Sequence, residues 1–252
     1  MNRIKDMLNG IEFKHNVKIL YGCEAGSRAY DFASENSDFD IRFIYIAPFK
    51  DYLSLTRKGD TITLQEGEYD IQGWDLKKAL LLAKKSNPSI YEWILSPIVY
   101  REMSPVMVQL KEMIQSDFSK KVLALHYVNM AKKNLHAWSE KKESSYLVHS
   151  VRASLMLEQV IHHDILTIQF KELIKKSRVF NSDELSLLFR LKMGEDLTEH
   201  PIILQLTTKL KNFLTASEKP LVHLSEGKVE LHDLEGLFFQ ELGIEGESDH
   251  ER

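Results

Sequence analysis

The chain has 252 residues and a formal net charge of -4, long enough to bury one large core or two small ones without disulfides or structural metal. Its single cysteine, Cys23, excludes an internal disulfide framework and a thiolate-rich zinc site, and it fits a reducing cytoplasm. The charge balance leaves no overall basic footprint, so any contact with nucleic acid must come from a local patch. The N-terminus MNRIKDMLNG lacks a long apolar core, and no run of about 18 apolar residues follows, so neither secretion nor membrane spanning is expected.

Ile4, Met7, Leu8 and Ile11 recur at helical spacing and predict a first helix. Val17 to Cys23 then reads as a strand, ended by Gly26-Ser27. Ser27 starts a helical turn through Arg28, Ala29 and Tyr30, offering backbone N–H groups and a hydroxyl to a phosphate. Gly26 lets that phosphate come close to the backbone. A second strand, Phe39 to Ala47, stops at Pro48. Thr61–Leu64 and Tyr69–Gln72, joined through Gly67, predict a hairpin. Asp75 caps a helix from Leu76 to Lys85, Asn87-Pro88-Ser89 breaks it, and Ser89 caps the next, Ile90 to Leu95. After Pro105 the periodicity is helical almost throughout, with glycine nearly absent between Gly73 and Gly194. The expected division is therefore a mixed-sheet domain over 1–104 and a helical domain over 105–252, with 245–252 frayed.

The chemistry concentrates in Glu24 to Tyr45, EAGSRAYDFASENSDFDIRFIY. Side chains alternate along a strand, so Asp38, Asp40 and Arg42 are expected on the face opposite Phe39, Ile41 and Phe43. Two like charges on one face repel unless a cation lies between them. Magnesium suits such a place, because it takes one or two carboxylates together with a substrate's phosphates. A Gly-Ser pair alone is ordinary loop chemistry and an Asp-x-Asp alone is usually a solvated strand edge. Together, between strands, they describe a triphosphate and metal site. For a third carboxylate the chain offers Glu68, Asp70 and Asp75. Glu68 adjoins the turn glycine and Asp75 is better explained as a cap, whereas Asp70 is nearer the strand centre.

At these residues the chain resembles the nucleotidyltransferases of the DNA polymerase beta superfamily, whose signature is Gly-Gly/Ser followed by Asp-x-Asp/Glu. Gly26–Tyr30, Phe32–Ser34 and Ser37–Tyr45, with Asp70–Leu80, Lys85–Ser89 and Glu92–Tyr100 downstream, are similar to a bacterial and phage group described as RNA-ligase-associated nucleotidyltransferases. Asp31 departs from that group, which usually has glycine there. The resemblance implies an α/β (α+β) fold with a small mixed-sheet nucleotidyltransferase domain followed by a helical domain. It implies transfer of a nucleoside monophosphate from an NTP, ATP among the candidates, to an acceptor hydroxyl with release of pyrophosphate. Two Mg2+ or Mn2+ ions on Asp38, Asp40 and Asp70 would support that transfer. Gly26, Ser27 and Arg28 are the implied triphosphate holders, with Arg42 and Arg152 as further candidates. The implied acceptor is a hydroxyl group on RNA, a protein or a small molecule. A non-catalytic nucleotide-binding or antitoxin-like protein, or an RNA-binding module assisting a ligase, is the alternative.

Lys142, Tyr146 and Arg152 also match a Lys-Tyr-Arg pattern of that group, although each has an ordinary reading: a solvated charge, a half-buried helix residue and an ion-pair partner of Glu158. Trp74 can be core or a platform for a base. His162-His163-Asp164 is better read as a charged helix end than as a metal site, because adjacent side chains on a helix diverge. The pairs Lys84-Lys85, Lys120-Lys121, Lys132-Lys133, Lys141-Lys142 and Lys175-Lys176 are solvated helix faces that together can offer a groove to a nucleic-acid backbone.

Overall fold

A computed structural model describes residues 2–34, 37–56, 59–163 and 167–244. Asp164 and the stretch 245–252 lie outside the described residues. By contact pattern the chain forms two compact units, one of residues 1–29, 36–118 and 228–252 and the other of residues 30–35 and 119–227.

The first unit opens with α1 (Asn2–His15), β1 (Lys18–Glu24), α2 (Gly26–Ala29), β2 (Phe39–Ile46) and α3 (Phe49–Tyr52). It continues with β3 (Thr61–Glu66), β4 (Tyr69–Asp75), α4 (Leu76–Lys84), α5 (Pro88–Ile94), β5 (Val99–Glu102) and α6 (Pro105–Asp117). The five strands form one mixed sheet in the order β3-β4-β2-β1-β5. Only β2 and β4 run parallel, with Asp40 opposite Asp70 and Tyr45 opposite Asp75; the other pairs are antiparallel. Alternation along β2 sends Ile41, Phe43 and Tyr45 to one face, where they pack with Ile4, Leu8 and Ile11 of α1 and with Tyr69 and Ile71 of β4. The other face carries Asp40 and Arg42 near the start of β2 and apolar Ile44 and Ile46 beyond them.

The turn chemistry expected between β3 and β4 is present, with Gly67 at φ 58°. Asp75 caps α4 through a bond from the Lys77 amide at 2.9 Å. The next cap differs from the sequence expectation. Asn87, not Ser89, accepts from the Ser89 amide at 2.9 Å and Pro88 becomes the first helical residue, where its missing N–H costs nothing.

The second unit is helical. Lys142, at φ 57°, ends α7 (Lys120–Lys141), and α8 (Ser144–His162) follows after two residues. α8 is buried along most of its length, and the Ser150 hydroxyl donates to the Ala131 carbonyl of α7 at 2.9 Å. α9 (Phe170–Lys176), α10 (Ser182–Lys192) and α11 (Pro201–Ala216) complete it, α10 starting from an Asn181–Glu184 capping box. The segment 30–35 belongs here as well: Phe32 packs against Phe170 and Phe189 at 4.6 and 3.9 Å between ring centroids. Asp31 has φ 57°, a left-handed conformation that explains glycine at this place in the resembling group, and its carboxylate pairs with Lys171 at 2.9 Å.

The chain then returns to the first unit with α12 (Leu231–Leu242), which packs on α4 and α6. Phe238 meets Tyr52 edge to face at 5.2 Å, and Lys18 and the Ser104 hydroxyl both reach Glu241. The two units therefore divide elsewhere than at residues 104 and 105. α6 and α12 are helical in period but bury Val106, Met107, Leu110, Ile114, Leu234 and Leu237 within the sheet-bearing unit. Helical period reports local conformation, and which core a helix joins is decided by long-range packing.

Candidate active site at the start of the parallel strands

The turn after β1 is built around Asp40. The Ala25 amide donates to the Asp40 carbonyl at 2.7 Å, and Gly26 has φ 58°. A Cβ added to Gly26 would lie 1.9 Å from Asp40 Oδ2. The glycine thus admits the Asp40 carboxylate, in addition to meeting a left-handed backbone angle. Ser27 is half-buried in the single turn of α2. Arg28 is turned onto the chain itself: Nη2 donates to the Ser37 carbonyl at 2.6 Å and Nε to the Asp38 carbonyl at 3.2 Å, and its guanidinium lies 3.7 Å above the Phe39 ring.

Asp38 precedes the strand, because β2 begins at Phe39, and it is exposed. The expectation that put Asp38 on one strand face with Asp40 and Arg42 meets a strand that starts at Phe39, as expected, so that Asp38 lies one residue ahead of it. Asp40 and Arg42 do share that face, and Asp70 stands beside Asp40 in direct parallel register. Arg42 joins the two. Its Nη2 donates to Asp40 Oδ1 at 2.9 Å and to Asp70 Oδ2 at 2.8 Å, while Nη1 donates to the Asp70 and Ile41 carbonyls at 2.8 and 3.1 Å. Burial pushes the Asp40 pKa up; Arg42 pulls against this, and Asp70 and Asp38 push with it.

Glu24, the last residue of β1, is a site residue the sequence reading passed over. It is 0% exposed. Its Oε1 accepts from the Asp40 amide at 2.7 Å and its Oε2 from the Tyr100 hydroxyl, so one buried carboxylate ties β1, β2 and β5 together behind Asp40. Burial raises its pKa, and the bonds from Tyr100 and the Asp40 amide oppose the rise. A charged residue ending an otherwise apolar strand, directly before the Gly-Ser turn, was the available signal.

The remaining candidates fall elsewhere. Glu68 is exposed in the hairpin turn. Asp75 is buried at the far end of β4, where the Tyr52 hydroxyl donates to it at 2.7 Å. Trp74 does not offer a platform for a base: it is 9% exposed and stacks on Trp93 with centroids 3.6 Å apart. Arg152 belongs to the helical unit, is 5% exposed and has its guanidinium 3.4 Å from the Tyr30 ring centroid. Glu158, its anticipated partner, instead accepts from the Ser177 hydroxyl and from the Arg178 amide at 2.7 Å. Six residues apart, the two occupy different sides of α8. Lys142 closes α7 with Nζ 5.5 Å from the Trp138 ring centroid, and the Tyr146 hydroxyl meets Lys141 at 3.2 Å, both ordinary helix-end contacts. His163 is the C-cap of α8. Among the described residues no three His, Cys, Asp or Glu side chains converge in a metal-holding group, and no helix is long and apolar enough to cross a membrane.

A cavity of about 850 Å³ opens at the opposite end of the parallel strands, lined in part by Tyr45, Tyr52, Asp60, Asp75 and Lys78. Asp38, Asp40, Arg42 and Asp70 are not among its lining residues.

The chain is similar to the "Uncharacterized protein YcgL" of Bacillus subtilis (strain 168), 36% identical over 205 residues that make up 77% of this chain and 78% of that protein. A structural match to a nucleotidyltransferase-like protein from Exiguobacterium sibiricum 255-15 covers 87% of this chain and 78% of the other, at 10% identity and a TM-score of 0.33. The model of the RNA repair pathway DNA polymerase beta family (RlaP) matches residues 1–240, and with its Gly26-Ser27 turn packed on Asp40 beside Asp70 the chain belongs to that family.

Proposed function

We propose that the chain is a metal-dependent nucleotidyltransferase that moves a nucleoside monophosphate from an NTP to an acceptor hydroxyl, with RNA as the acceptor. The observation that carries this reading is the meeting of Asp40 and Asp70 in register across parallel strands, with the Gly26 turn packed on the Asp40 carboxylate. The donor chemistry fits a hard divalent cation. Asp38 and Asp40 bring carboxylate oxygens, and Asp40 Oδ2 is not the oxygen used by Arg42. Asp38 and Asp40 would hold Mg2+ or Mn2+, which supplies a positive charge for the triphosphate and for the transition state.

Around it, the residues of the chain perform separate tasks. Gly26 and Ser27 present the turn that receives phosphate, and Arg28 fixes the carbonyls of Ser37 and Asp38 just ahead of β2. Glu24 and Tyr100 hold the Asp40 amide from behind. In the transfer, a bond forms between the acceptor oxygen and the α-phosphorus while the bond from that phosphorus to the β-phosphate bridging oxygen breaks. Pyrophosphate leaves, and the hydroxyl proton passes to a carboxylate of this cluster. We place the reaction in the cytoplasm, in keeping with the buried free thiol of Cys23. The test is incubation of purified protein with each α-labelled NTP and Mg2+, with and without RNA. Label transferred to RNA is the expected result. Tight NTP binding with no transfer to any acceptor would favour a nucleotide-sensing or antitoxin-like protein instead.

A further inference from the structure

We propose that the Arg42 guanidinium fills the place of a second metal ion, so that this site, read as a nucleotidyltransferase, takes a single divalent cation through Asp38 and Asp40. Two-metal phosphoryl-transfer sites hold their ions about 3.5–4 Å apart and need carboxylate oxygens between them. Here one oxygen of each carboxylate is already taken, since Nη2 of Arg42 lies between Asp40 Oδ1 and Asp70 Oδ2 at 2.9 and 2.8 Å.

The arrangement is fixed from the backbone. Arg42 is two residues beyond Asp40 on the same strand face, Asp70 is paired with Asp40 in register, and Nη1 anchors to main-chain carbonyls of both strands. The Arg42 side chain is only 14% exposed, against 40% for Asp70. A second dication at the same oxygens would face a fixed like charge. Asp70 then serves as a positioning residue that holds Arg42, and Arg42 meets the charge that develops on the acceptor side of the transferring phosphoryl group.

The experiment is electron paramagnetic resonance of Mn2+ bound to the full chain with each α,β-methylene nucleoside triphosphate. Two Mn2+ ions about 4 Å apart give a spin-coupled spectrum, whereas one gives an isolated six-line signal. The wild-type chain is expected to show the isolated signal with one bound ion, and Asp70→Asn to keep that count while losing turnover. Arg42→Gln is expected to admit a second ion and show coupling. A coupled pair in the wild type overturns the inference and keeps the proposed function, and this arm stands even if Arg42→Gln does not fold. An Arg42→Gln protein that folds and still binds one ion removes Arg42 as the cause and overturns the inference too. Absence of both Mn2+ and nucleotide binding removes the proposed function itself.

Discussion

The two ends of the β2–β4 pair carry the same residue type in opposite circumstances. At the start, Asp40 and Asp70 face each other across the strands, 27% and 40% exposed, with their charge met by Arg42. At the finish, Asp75 lies opposite Tyr45 and is 7% exposed. Its Oδ1 accepts from the Lys77 amide at 2.9 Å and its Oδ2 from the Tyr52 hydroxyl at 2.7 Å, while the Ala47 amide donates to the Tyr52 oxygen at 3.0 Å. Nearby, Lys78 pairs with Asp60 at 2.9 Å. These groups satisfy one another locally, although a cavity of about 850 Å³ adjoins them. An aspartate whose valences are used by a helix cap and a buried hydroxyl serves the fold. One that shares a guanidinium with a second carboxylate at a solvent-facing edge is available for chemistry.

The largest effect that can break this contrast is at Asp70. Asp70→Asn removes the charge that holds Arg42 and should lower NTP turnover by about a thousandfold, ~4 kcal/mol of barrier, with NTP binding retained in a nucleotide titration. Full turnover would mean that the register with Asp40 has no chemical consequence.

Gly26→Ala comes next. The added Cβ meets Asp40 Oδ2 at 1.9 Å and must adopt φ 58°, so about 1–2 kcal/mol of backbone strain accompanies a displaced carboxylate. Turnover should fall about a hundredfold, ~3 kcal/mol of barrier, while chemical denaturation shows a smaller loss of stability. A variant with unchanged turnover would detach the turn from the site.

The smallest effect concerns pH at the other end. Burial raises the folded-state pKa of Asp75 against the opposing bonds from Tyr52 and Lys77. A raised carboxyl contributes stability that is present below the unfolded value of about 3.9 and is lost as pH rises through the folded pKa. Asp75→Asn keeps a good cap and carries no titration. Denaturation midpoints should therefore show the wild type losing ground to Asp75→Asn as pH increases from about 4. A parallel pair of pH curves would contradict the assigned burial.

Much of the first unit was legible from local pattern. The spacing of Ile4, Leu8 and Ile11, the alternation of β2, the Gly67 hairpin and the Asp75 cap are written in neighbouring residues, and the structure has them in those places. What escaped was long-range. Asp70 was expected near Asp38 and Asp40, but the parallel register that pairs it with Asp40, the burial of Glu24 between three strands and the return of α12 to the sheet unit depend on partners far away in sequence. Arg42 was named as a candidate for holding the triphosphate, yet its hold on both carboxylates requires knowing which strand neighbours β2.

The two ends of one strand pair divide chemistry from stability, and a comparison of Asp40→Ala with Asp75→Ala for pyrophosphate release and for unfolding in denaturant measures that division. Asp40→Ala is expected to lose turnover and keep its fold, while Asp75→Ala keeps turnover and loses about 1–2 kcal/mol of stability through its missing cap. Full turnover in Asp40→Ala, or loss of chemistry in a folded Asp75→Ala, would contradict it.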